Sequence, residues 1–266
     1  MGSATREALA SARAALTASA VSGASLAVGE ELFSASRVIG SSSQLLQAIA
    51  DPGADTAAKV ALVDSVFGSS LSAPAQQLLR TLASSRWSDQ EDVLAAIEEL
   101  GLRAIADSVP SGTLIEQELF AFGTAVASNA ELELAISNKL GSADAKSSLV
   151  TSLLQGKASD QTVAIVKQLV QQPRGRRIGE LLRHAASVVA DEAGFGVATV
   201  TSATQIAPAQ LQRLAAVLSG SYGRELRINQ VVDPAVLGGL RVQVGDDVID
   251  GSIASRLNDV RIQLAG

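Results

Sequence analysis

Glu31-Leu32-Phe33, then Lys59, Leu62 and Val63, then Leu78-Leu79-Arg80 return further along the chain as Glu118-Leu119-Phe120, then Lys146, Leu149 and Val150, then Ile165-Val166-Lys167. The shift is 87 residues each time (118 − 31, 146 − 59, 165 − 78). Between these blocks Leu45, Ala48 and Ile49 come back as Leu132, Ala135 and Ile136, Ser72 as Ser159, Leu82 as Leu169 and Leu94 as Leu181. A chain rich in Ala and Leu aligns those residues by chance. A gapless register of apolar and basic positions from Glu31 to Ala106 instead reads as duplication of one structural unit.

Inside each copy the apolar residues fall three and four apart, which gathers them on one side of a helix. The first copy shows helical spacing over 30–39, 44–50, 54–67, 73–85 and 89–108. Asp51-Pro52-Gly53 and Gly68-Ser69-Ser70 break it, and Val109-Pro110-Ser111-Gly112 closes it. In front of this copy alone, residues 3–20 form a leading helix with Leu9, Ala12 and Leu16 along one side.

On the C-terminal side the character changes at Gly194-Phe195-Gly196. Val197, Thr199, Val200 and Thr201 are β-branched and strand-like. Ala207-Pro208 opens a helix with Leu211, Leu214, Ala215 and Leu218 on one face, and Gly220 and Gly223 close it. Residues 225–232 alternate again. Val242 and Val244 then alternate with Arg241 and Gln243, and a turn at Gly245-Asp246-Asp247 leads to Val248-Ile249, which predicts a hairpin. Asp250, Gly251 and Ser252 are capping residues for a terminal helix striped by Ile253, Leu257, Val260 and Leu264. The predicted fold is mainly α: a duplicated N-terminal helical bundle followed by a small α+β C-terminal domain, divided as 1–110, 111–194 and 195–266.

The run Val232-Asp233-Pro234, Leu237-Gly238-Gly239, Val244-Gly245-Asp246, Val248-Ile249-Asp250-Gly251-Ser252 and Leu257 resembles the C-terminal signature of the delta subunit of F-type ATP synthases, whose mitochondrial counterpart is the oligomycin-sensitivity-conferring protein. The resemblance extends from Ile206 to Leu264, and the extra bundle resembles the longer delta subunits of actinobacteria. It implies a non-catalytic stator subunit of the peripheral stalk. Such a subunit holds alpha subunits of the catalytic head, with the beta subunits as an additional contact, and the b subunit, and it resists rotational torque. It further implies an alpha-subunit interface at Leu9, Ala12, Leu16, Leu78, Leu79 and Leu82, with Ile165, Val166 and Leu169 as the second copy's equivalents, so that both copies touch the head. The b-subunit interface it implies comprises Leu237, Gly238, Gly239, Val242, Ile249, Asp250, Gly251, Ser252 and Leu257. The expected location is the cytoplasmic face of the cell membrane, peripheral, within the complex.

Composition narrows the other options. In 266 residues, 47% hydrophobic, there is room for more than one core, while only 3% are aromatic. Twenty-one basic against 27 acidic residues give a net charge of −6, which repels phosphate backbones, so no nucleic-acid partner is expected. Arg174-Gly175-Arg176-Arg177 is the one basic knot and reads as a solvated corner between helices. The chain has no Cys, which removes thiolate chemistry and disulfides. The uncharged run at residues 14–29 falls short of the roughly 20 apolar residues a membrane span needs, so no direct membrane insertion is expected.

Catalytic and cofactor motifs do not assemble. His184 stands alone in a helical segment with no nucleophile placed beside it. Gly194-Phe195-Gly196 precedes a strand instead of following one, unlike a dinucleotide loop. Asp246, Asp247 and Asp250 match no calcium-loop spacing. No cofactor, metal or enzymatic activity is expected. The competing readings are a helical-repeat peptide-binding adaptor unrelated to any motor and, behind it, a hydrolase built around His184.

Overall fold

The computed structural model describes residues 2–20, 25–109, 113–138, 141–245 and 247–253. The first unit comprises α1 (Ser3–Ala20), α2 (Leu26–Ser41), α3 (Ser43–Ala50), α4 (Thr56–Phe67), α5 (Ala73–Ser84) and α6 (Gln90–Asp107). The second comprises α7 (Ile115–Ala127), α8 (Ala130–Ser137), α9 (Ala143–Leu154), α10 (Asp160–Gln171) and α11 (Ile178–Glu192). Moving α3, α4 and α5 by 87 residues lays them end to end on α8, α9 and α10.

The repetition reaches individual hydrogen bonds. Ser42 caps α3 by accepting from the Leu45 amide, and Asn129 caps α8 from Leu132; Asp55 and Ser142 do the same for α4 and α9. Each such cap is worth about 1 kcal/mol. At the start of α5 both the amide and the hydroxyl of Ser72 donate to Glu31 Oε2, at 3.0 and 2.5 Å. Ser159 and Glu118 repeat the arrangement at the start of α10 with the same two distances. Lys59 and its counterpart Lys146 are both buried along their stems.

The first core gathers Leu9, Ala12, Leu16, Leu32, Ile39, Leu78, Leu82, Val93, Ile97 and Leu100. The second gathers Leu119, Val150, Ile165, Leu169, Leu181 and Val189, but Phe33 of α2 and Leu102 and Ile105 of α6 belong to it as well. Shifted by 87, α1 falls on residues 90–107, which is α6 itself. The packing agrees: α1 lies against α5 and α6, and α6 lies against α10 and α11. Thus α6 ends one bundle and serves as the leading helix of the next.

Gly194, with φ +84°, turns the chain out of α11 into β1 (Gly196–Ser202). α12 (Pro208–Tyr222) crosses over to β2 (Leu226–Val232), which pairs with β1 in parallel, as a connection of that length permits. β3 (Leu240–Val244) runs antiparallel on the other side of β1 and β4 (Asp247–Asp250) antiparallel on β3, giving the order β2-β1-β3-β4. Gly223 caps α12 in the left-handed conformation, φ +66°. Gly220 lies inside the helix, not at its end. Ala198, Val200, Leu218, Leu226, Val242 and Val244 form the small third core. The terminal-helix stripe beyond Ile253, Leu257 included, lies outside the described residues.

Candidate functional site

The head-side residues inferred from the resemblance lie together, but inside the protein. Leu9, Ala12, Leu16, Leu78, Leu79, Leu82, Ile165, Val166 and Leu169 are all buried, none more than 5% exposed. They hold helices together and offer a partner no side-chain surface. What faces outward beside α1 and α5 is polar and small. On α5 and its C-cap these are Gln77, exposed, and Thr81 and Ser85, half-buried; along α1 they are Ala10, Ser11, Ala14 and Thr17. Helices bearing such residues let another helix approach closely.

The C-terminal candidates divide between inside and outside. Leu237, Gly239, Ile249 and Asp250 are exposed, Gly238 and Gly251 are half-buried, and Val242 and Ser252 point into the domain. Gly238 and Gly239 both have positive φ, +75° and +80°, which favours glycine. A Cβ on Gly239 would stand 2.4 Å from the Gly251 carbonyl oxygen, so the loop before β3 fits against the end of β4 only with glycine there. The Ile253 amide donates to the Gly238 carbonyl at 3.1 Å, and the Gly251 amide to that of Leu240 at 2.9 Å. The Ser252 amide donates to Asp250 Oδ1, which with the Ser252 hydroxyl holds the Asp250 carboxyl below the usual carboxylate range. Around this closure Leu237 and Ile253 are exposed, as are Val248 and Ile249, which point to opposite faces of edge strand β4.

Between the two ends runs a chain of ion pairs that the sequence reading did not anticipate. Arg13 of α1 donates to Glu99 of α6 at 2.7 Å, and Glu99 also accepts from Arg103 one turn along at 2.9 Å. Arg103 reaches across to α11, giving Nη1 to Glu192 and Nη2 to Asp191 at 2.5 and 2.8 Å. The other oxygen of Asp191 accepts from Arg224, just before β2, at 3.1 Å. Burial lowers the Arg103 pKa, but its three carboxylates outweigh that and raise it. Burial likewise raises Asp191, and Arg103 and Arg224 together bring it below the usual carboxylate range. A second tie fastens the sheet domain to α7: Arg227 donates to Glu116 at 2.8 Å while its guanidinium lies 3.5 Å from the centroid of the buried Phe195 ring.

The basic knot is not the solvated corner it was expected to be. Arg174 and Arg176 close on Glu98 of α6, 3.1 and 2.7 Å away, and Glu98 is 1% exposed. A carboxylate taken out of water at that depth requires such cations. Arg174 adopts φ +47°, uncommon for a side chain of its size, at that contact. The available signal was Glu98-Glu99 with Arg103 one turn on, charges on α6 where an apolar stripe was due. His184 is exposed on α11. Among the described residues no group of His, Asp and Glu is arranged to hold a metal ion, and no single helix is long and apolar enough to cross a membrane.

Comparison with known proteins accounts for this architecture. The family model "ATP synthase delta (OSCP) subunit" matches twice, over residues 10–104 and 102–264, the two matches meeting near the end of α6. An ATP synthase subunit delta of Leifsonia xyli is 56% identical over all of both chains. One from Streptomyces avermitilis is 39% identical over 98% of each, and one from Kineococcus radiotolerans 41% identical over 90% of this chain and 87% of its own. An unrelated peptide adaptor finds no support in these matches. The chain therefore belongs to the ATP synthase delta (OSCP) subunit family, as a peripheral-stalk component of that complex.

Proposed function

We propose that the chain is a non-catalytic brace whose helical end docks N-terminal segments of head alpha subunits and whose sheet domain binds the b subunit. The beta subunits are an additional contact, and the location is the cytoplasmic face of the cell membrane. The three units, 1–110, 111–194 and 195–266, act as one body. The observation that carries this reading is the unbroken succession Arg13–Glu99–Arg103–Asp191–Arg224, which joins α1, both bundles and the sheet domain. A part that transmits torque has to resist bending, and shared helices with paired charges between units supply that resistance.

On the head side, the nine buried residues set the spacing of the helices, and Gln77, Thr81 and Ser85 beside α1 supply the contact surface in the helix-in-groove manner. On the stalk side, Leu237, Gly238, Gly239, Ile249, Asp250 and Gly251 form the surface and Val242 and Ser252 support it from below; Leu257, outside the described residues, completes the proposed set. An attachment that outlasts many turnovers needs nanomolar binding, on the order of −12 kcal/mol. The test replaces Leu237 and Ile249, both exposed, with Asp in the full chain. Capture of the b subunit is expected to fall while capture of alpha subunits and the melting temperature stay as they were. Undiminished capture of b would refute the stalk-side assignment.

A further inference from the structure

We infer that the chain presents the head with a single helix-receiving groove, the one at α1 and α5, because its counterpart in the second bundle is already filled by the chain's own α2. This deepens the head-docking reading above and rests on it.

The repeat supplies the comparison. Shifting by 87 places Gln77 and Thr81 of α5 and its C-cap Ser85 on Ala164 and Gln168 of α10 and its C-cap Gln172, with α6 standing where α1 stands. In the first copy Gln77 is exposed and Thr81 half-buried; in the second Ala164 is 7% and Gln168 1% exposed. What covers them is α2. Ser36 Oγ donates to Gln172 Oε1 at 2.9 Å, Gln172 Nε2 donates back to the Ser36 carbonyl at 3.0 Å, and Arg37 donates to Gln168 Oε1. Gly40, one turn further, leaves room for the Gln172 amide, 2.5 Å from where a Cβ would be. Phe33, on the same face of α2, enters the second core.

The seated α2 also specifies what the empty groove accepts. Phe33, Ser36, Arg37 and Gly40 are spaced three or four apart along one face: an aromatic anchor, a hydroxyl, a cationic donor and a glycine. The occupant of the α1–α5 groove is thus one amphipathic helix with an apolar anchor followed by small and hydrogen-bonding residues, which Gln77, Thr81 and Ser85 can meet. Among the described residues no helix covers Gln77 and Thr81 as α2 covers Ala164 and Gln168. The alpha-subunit N-terminal segment fills it, once per chain.

A synthetic peptide of the alpha-subunit N-terminal segment, titrated calorimetrically into the full chain, is expected to bind one per chain. Gln77→Trp and, independently, Thr81→Arg are each expected to weaken binding by about tenfold or more, a loss of about 1.4 kcal/mol. Gln171→Trp, on the covered α10, is expected to leave affinity unchanged, with circular dichroism confirming that each variant folds. Two peptides per chain, or equal weakening by Gln171→Trp, would overturn the inference while leaving the head-docking reading standing. A flat titration at all concentrations would overturn both.

Discussion

Arg103→Met removes the cation at the middle of the ion-pair chain while keeping most of its aliphatic stem. The Arg103 side chain is 7% exposed and faces Glu99 at 8%, Glu192 at 19% and Asp191 at 39%. Orphaning a buried partner typically costs 3–5 kcal/mol, against 0–1 for an exposed pair. Two of the three carboxylates keep another cation, Arg13 for Glu99 and Arg224 for Asp191, so the expected loss lies at the lower end, about 3 kcal/mol. For a chain of this size that lowers the melting temperature by about 6–12 °C. The assay is urea denaturation at pH 7 with calorimetric melting beside it. The sign of the pH dependence follows from Asp191. Its folded pKa is depressed, so its contribution is present above the ordinary carboxylate value of about 3.9 and is lost as pH falls through the lower folded value. The difference between the natural chain and the variant is therefore full at neutral pH and narrows below about pH 4. A loss under about 1 kcal/mol at pH 7, the range of an exposed pair, would refute the assignment of Arg103 as the joint between bundles.

Glu31→Ala and Glu118→Ala, which remove the same carboxylate from the two copies, should each cost about 1.5–3 kcal/mol, and the double variant should lose close to the sum. Urea midpoints test this, and strongly unequal losses would show that the two copies are not equivalent units. Gly29→Ala should destabilise by about 1–3 kcal/mol although alanine is the better helix former, because its Cβ would meet Ile105 Cγ1 at 2.4 Å and the Gly101 carbonyl at 2.8 Å. A gain in stability in the same denaturation series would show that α2 and α6 do not cross that closely.

The repeat was legible because a buried helix face writes its period into the sequence whatever lies around it, and α3 to α5 reappear at the predicted positions as α8 to α10. The double duty of α6 was not legible. At the same shift Leu9, Ala12 and Leu16 of α1 fall on Ala96, Glu99 and Arg103, so the apolar stripe vanishes where α6 must meet acids on α11. Periodicity also marks burial without saying what does the burying, which is why Leu78, Leu79 and Leu82 fitted a groove as well as a core. In the sheet domain two successive glycines, Gly238 and Gly239, stand where the backbone takes positive φ. The inward turn of Val242 was legible in its alternation with Arg241 and Gln243, whereas that of Ser252 depends on how the chain folds back after β4.

A helix owned jointly by two bundles makes the assembly difficult to edit in pieces. A cut near residue 110 strips the cover from Phe33, Leu102 and Ile105 and leaves greasy side chains bare on whichever fragment keeps them. Lengthening the protein by a further bundle would have to begin inside an existing helix and not at a loop. Growth and loss of whole units are then constrained to a step of 87 residues, the distance from α1 to α6, and a graft that misses this phase would put charged residues where the neighbouring bundle expects oil.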